Sequence, residues 1–150
     1  MSRLVSEENA RENVEKMANR CAMIYRHFAE TIIEELGEEK GKDLILKAIN
    51  RYGEESGERM KKSPGGSDLP EYGWDTEMVS QTEDKDVIDI TKCPLAEYWL
   101  ANMDLELARL YCYVDQAKYK SYNPNYQCTH AKNVLDGDKK CRLVINKTHN

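Results

Sequence analysis

Between residues 7 and 36 the apolar side chains fall at Ala10, Val14, Met17, Cys21, Ile24, Tyr25, Phe28, Ile32 and Leu36, one stripe at spacings of three and four. That period predicts a single long amphipathic helix, closed by Gly37. A second helix is expected from about 40 to 62, carrying Leu44, Ile45, Ala48, Ile49, Tyr52 and Met60. Within it, Gly53 and Gly57 either weaken the helix or let another backbone approach closely. Ser63-Pro64-Gly65-Gly66-Ser67 breaks the pattern and opens a loop that runs to about Trp74. From 78 to 92 the period drops towards two. Val87, Ile88 and Ile90 favour a strand, and Glu83-Asp84-Lys85-Asp86 is placed as the turn of a hairpin. Helical spacing returns over 95–103 and again over 105–119, with Asp104 as a natural N-cap. Tyr122-Asn123-Pro124-Asn125 marks a turn, and 126–135 and 141–145 predict two strands joined at Asp136-Gly137-Asp138.

Helices first, then a strand pair, a helix pair and a strand pair describe an α+β fold. The N-terminal helices would pack with the C-terminal helix pair on one face of a small antiparallel sheet. The 150 residues suit one domain, with a helical part at 1–62 and an α+β part at 75–150 sharing one core.

Composition narrows the function classes. The chain is 40% hydrophobic and 33% charged, too apolar for a disordered chain. Its net charge of −5 and lack of a dense Lys/Arg stripe argue against a nucleic-acid partner. No apolar run approaches the roughly 20 residues of a membrane span, and the polar, acidic N-terminus is not a signal peptide. A cytoplasmic, reducing location is therefore expected. The five cysteines are scattered without a Cys-x-x-Cys pair, so neither a disulfide framework nor a structural zinc site is expected, and no cofactor is implied. A small-molecule substrate is the expected partner, and a homodimer is the assembly that the base rate for oligomers allows.

The chemistry concentrates in the C-terminal half. On the 105–119 helix, wound at roughly 100° per residue, Asp115 falls inside the apolar arc of Leu107, Leu110, Tyr111 and Val114. A carboxylate there needs a partner. It serves either proton transfer and the grip of a cationic substrate, or a structural pairing with a cation. Cys112, three residues earlier, shares its face. Mid-helix, it gains little from the dipole, and a lone buried cysteine is more often an inert core residue than a nucleophile. Cys93 precedes Pro94 and so sits at a helix start, where backbone N–H groups stabilise a thiolate. On this ground it is the better candidate for an activated thiol. His130, on a predicted strand, is a base or orienting group for a cysteine if it faces the helix.

Four motifs in order carry a resemblance: Cys93-Pro94-Leu95-Ala96-Glu97-Tyr98-Trp99, Tyr111-Cys112-Tyr113-Val114-Asp115, Tyr122-Asn123-Pro124, and Leu135-Asp136-Gly137-Asp138-Lys139-Lys140-Cys141. Together they resemble the C-terminal signature of the L-2-amino-thiazoline-4-carboxylic acid hydrolase family. The chain departs from that pattern after Cys141, where Arg142-Leu143 replaces a frequent Glu-Phe. The Gly-Asp-x-x-Cys ending also resembles the 4-vinyl-reductase-type small-molecule-binding domain, which keeps a non-catalytic binding or sensory role open. The first resemblance implies hydrolysis of a C–N bond in a small cyclic amidine such as 2-amino-thiazoline-4-carboxylate, opening the ring. It implies Asp115 at the amidinium or in proton transfer, Cys112 or Cys93 as nucleophile, and His130 as proton shuttle. Asn123 and Trp99 become candidate substrate-binding residues, and the anchor for the substrate carboxylate stays unassigned.

Overall fold

The computed structural model describes residues 4–149; positions 1–3 of the polar N-terminal stretch and position 150 lie outside it. The long helix α1 spans Glu7–Leu36, as the stripe predicts. Ser6 caps it, its hydroxyl accepting from the Asn9 N–H at 3.2 Å. Helix α2, Glu38–Lys62, folds back along α1 after the single residue Gly37. The chain continues through β1 (Asp75–Gln81), β2 (Lys85–Lys92), α3 (Pro94–Asn102) and α4 (Leu105–Arg109). After a 3₁₀ turn at Leu110–Tyr113 come α5 (Val114–Tyr122), β3 (Tyr126–Lys132) and β4 (Cys141–Lys147). The four strands form one sheet in the order β1-β2-β4-β3, antiparallel at every pairing. The α+β class is therefore correct.

Alternation along the strands divides the sheet's faces. Cys128, Leu143 and Ile145 turn inward and pack with Ile88, Ile90, Tyr119 and Tyr126. The alternate residues Asp89 and Arg142 are paired with each other on the opposite face, with Lys140 beside them. The departure at Arg142 is thus structural here: its Nε and Nη2 donate to the Asp89 carboxylate at 2.6 and 2.9 Å. A second core lies among the helices. Trp99, 1% exposed, packs with Ala18, Ala22, Leu95 and Ala108. Its Nε1 donates to the Ala22 carbonyl at 3.0 Å, and the Tyr25 hydroxyl donates to the Leu107 carbonyl at 2.8 Å, so both rings tie α1 to the C-terminal helices.

The glycines of α2 set the approach of α5. A Cβ on Gly53 would lie 2.6 Å from the Val114 carbonyl oxygen and from the Ala117 Cβ, and one on Gly57 would overlap the Lys118 carbonyl. Of the two readings of these glycines, close backbone approach is the one that holds.

Three elements differ from the pattern reading. The 105–119 helix is broken by the 3₁₀ turn and runs on to Tyr122. Asp104 caps its start as expected, accepting from the Leu107 N–H at 2.9 Å. The tightened turn lodges Tyr111 among aromatic neighbours, 4.9 Å from Trp99 and 5.2 Å from Tyr25 between ring centroids. Strand β1 begins at Asp75, earlier than expected, because all its residues are exposed and leave no alternation to read. Strand β3 stops at Lys132, after an irregularity between His130 and Lys132. The chain then forms a 3₁₀ turn, Val134–Asp136, that ends on Gly137 at φ +97°. The cause is Asn133. Its Oδ1 accepts from the Leu135 N–H at 2.9 Å, and its own N–H donates to the Asp138 carboxylate at 2.9 Å. These bonds replace the ladder that would have carried the strand to 135.

Candidate active site

Between the helices and the inward face of the sheet lies a cavity of about 910 Å³. Its polar group centres on α5. Asp115 Oδ1 is 2.9 Å from Lys118 Nζ, one helical turn on, and Asp115 Oδ2 is 3.3 Å from His130 Nε2 on β3. Asp68, from the loop after α2, stands 3.9 Å from Lys118 Nζ. The placement follows from the packing already described: the glycines of α2 press α5 down, and α5 lies across β3. A second ion pair, Lys147 to Asp86 at 2.7 Å, lines the sheet side of the same cavity.

The charges of this cluster support one another. Burial pushes the Asp115 carboxyl up, but the Lys118 ammonium and the hydrogen bond from His130 outweigh it and hold it down at about 2. For Lys118, burial works against the charge and Asp115 more than restores it. An ionised Asp115 can only accept, so in the neutral form of the His130 ring the proton belongs on Nε2 and Nδ1 is left with a lone pair. That nitrogen is buried and has no hydrogen-bond partner among the described residues.

The thiols behave differently. Cys93 and Cys112 both line the cavity. Burial raises Cys112 to about 12; the Asn133 amide and the Arg109 charge pull the other way and lose, while the Asp115 charge adds to the rise. Cys93 sits at the N-cap of α3, as expected, yet burial also raises it, outweighing the N–H groups of Ala96 and Leu95. The helix-start argument for a thiolate thus meets a stronger opposing effect. Both thiols are protonated near neutral pH.

Of the residues singled out in the sequence, Asp115, Cys112, Cys93, His130 and Trp99 line one cavity. Trp99 offers only its ring, because its N–H is already engaged. Asn123 is not among the lining residues. Its Oδ1 accepts from the Asn125 N–H at 3.0 Å and its carbonyl from Tyr126, which builds the turn into β3. Lys118 and Asn133 were not anticipated. The spacing of three between Asp115 and Lys118 was a readable signal for an ion pair, whereas nothing in the sequence marked Asn133. Among the described residues no group of three or more His, Cys, Asp or Glu side chains is placed to hold a metal ion.

A family model described as L-2-amino-thiazoline-4-carboxylic acid hydrolase matches residues 15–145. The chain belongs to the L-2-amino-thiazoline-4-carboxylic acid hydrolase family. The match takes in α2 and most of α1 as well as the C-terminal motifs, so the family resemblance reaches well beyond the Cys93–Cys141 stretch that first carried it. Asp68, Asp115, Lys118 and His130 fall within the part that matches this hydrolase family, and Lys147 of the second ion pair lies just beyond it. Comparison with curated proteins gives no match. No helix among the described residues is long and apolar enough to cross a membrane.

Proposed function

We propose that the protein hydrolyses the ring C–N bond of a small cyclic amidine such as 2-amino-thiazoline-4-carboxylate. The observation that carries this reading is a buried carboxylate, Asp115, kept ionised beside a histidine whose second nitrogen has no protein partner. A carboxylate accepts about four hydrogen bonds, and Lys118 and His130 leave room for an amidinium. Binding there keeps the ring protonated and the carbon between nitrogen and sulfur electrophilic.

Because the thiols are held protonated, the nucleophile in this scheme is water. His130 Nδ1 takes one proton from the water as its oxygen bonds to the ring carbon, and Asp115 stabilises the imidazolium that forms. The imidazolium passes that proton to the ring nitrogen. The C–N bond breaks as the remaining O–H electrons form the carbonyl, and the hydroxyl proton travels through His130 to the departing amine. The amidinium and water become a carbamoyl group and an ammonium, with charge conserved. Cys112 and Cys93 shape the wall.

Ring opening followed by NMR tests the scheme. His130→Gln and Asp115→Asn should each lower turnover by about 10²–10⁴-fold, whereas Cys112→Ser should stay within a few-fold of the parent. Loss of turnover in Cys112→Ser with His130→Gln active would reverse the roles. A non-catalytic binding role is favoured by one feature, the aromatic wall of Trp99 and Tyr111. It predicts binding of the same compound with no product.

A further inference from the structure

The cavity wall also includes the Asn133 turn, where the amide is unusually constrained. Asn133 is 1% exposed and lines the cavity. Its Oδ1 is committed to the Leu135 N–H at 2.9 Å, its backbone N–H to Asp138, and its carbonyl to the N–H groups of Asp136 and Asp138. The bond to the Leu135 N–H decides the amide's orientation, because a flipped amide would set two donors against each other. What remains is Nδ2, a buried donor that faces the Cys112 thiol and makes no hydrogen bond of full geometry among the described residues. An unmatched buried amide donor is costly enough that native proteins rarely keep one without a use.

A second buried donor without a partner stands against the same turn. Arg109, at the end of α4, donates from Nε to the Asp136 carboxylate at 3.0 Å, while its Nη1 is buried and unmatched among the described residues. Its charge reaches Cys112 and Cys141, two thiols of the cavity wall, where the Asp115 charge opposes it. Acceptors gather at Asp115, whereas an open amide donor with a guanidinium behind it marks the Asn133 turn.

We infer that Asn133 Nδ2, backed by the positive charge of Arg109, anchors a carboxylate of the ligand, so that a zwitterion spans the cavity with its cationic end at Asp115. This rests on the amidine reading and supplies the substrate-carboxylate anchor that the resemblance left unassigned. A ligand carboxylate would meet the free N–H of Asn133, and behind it a guanidinium whose Nη1 stays unmatched although its Nε is bonded to Asp136.

Binding measured by calorimetry on the whole protein tests the anchor separately from catalysis. The probes are 2-amino-thiazoline-4-carboxylate and 2-amino-thiazoline, which lacks the carboxylate. The parent should bind the carboxylated probe about tenfold or more tightly than the other. Asn133→Asp keeps an oxygen for the Leu135 N–H and replaces the donor with an anion. It should remove that preference while leaving the affinity for 2-amino-thiazoline within about twofold. Arg109→Gln, which keeps Asn133's own bonds but removes the ion pair to Asp136, should reduce the preference in the same direction and serves if Asn133→Asp does not fold. A parent with no preference, including one that binds neither probe, overturns the inference, as does a variant that weakens both probes equally. Tight, carboxylate-dependent binding without turnover would sink the hydrolase reading and leave the anchor standing.

Discussion

A carboxylate in an apolar wall either takes a proton or finds a cation. Asp115 has found Lys118 and His130, and this makes the site's charge a stabilising feature of the fold as well as a chemical one. The sign is definite. Its folded value is depressed from 3.8 to about 2, so the stabilisation is complete above about pH 4 and drains away as pH falls towards 2. Asp89, held by hydrogen bonds from Arg142 and Lys140, is depressed too and adds in the same direction. Near-UV circular dichroism against pH should show tertiary structure lost in that acid window, with the Asp115→Asn variant showing a flatter dependence. An unchanged slope in the variant would mean that Asp115 does not carry the effect. At this scale the sequence was partly legible. A carboxylate on an apolar arc stands out from periodicity alone, which is why Asp115 could be singled out. Asn133 could not, since its importance comes from an amide committed on one side and open on the other, a property of the turn it creates.

Elements were legible where a periodic stripe met its own end signals. Helix α1 has Ser6 before it and Gly37 after it, and its limits match the pattern to the residue. The helix that carries Asp115 was harder. No glycine or proline announces the 3₁₀ turn at Leu110–Tyr113, which arises where Tyr111 meets Trp99 and Tyr25. The relation between α2 and α5 was visible only as two alternatives for Gly53 and Gly57, and three-dimensional contact decides between them. A methyl group at either position must displace α5 backbone, so Gly53→Ala and Gly57→Ala should each cost about 1–3 kcal/mol in urea unfolding despite alanine's better helix propensity. Because α5 holds Asp115 and Lys118, both variants should also weaken amidine binding. A neutral or stabilising effect would show that α5 does not rest on these glycines.

Across the whole molecule, the order of the strands carries a cost in time. Strand β4 is the last of the four along the chain, yet it lies inside the sheet between β2 and β3. Ile88 must find Leu143, and Val87 must find Val144, across a segment that contains three helices and another strand. Closing so long a loop pays its entropy before the pairing returns anything, so collapse of the early helices should run well ahead of completion of the sheet. Until β4 arrives, β2 has an open edge that bears Ile88 and Ile90, the kind of surface on which partly folded chains find one another. Stopped-flow refolding should therefore show an early helical phase followed by a slower one, on the order of milliseconds to seconds, that brings in near-UV signal. Recovery should fall as protein concentration rises. A single fast phase carrying the full amplitude would mean that β2 and β4 meet early and that the route to the cavity is shorter than its topology suggests.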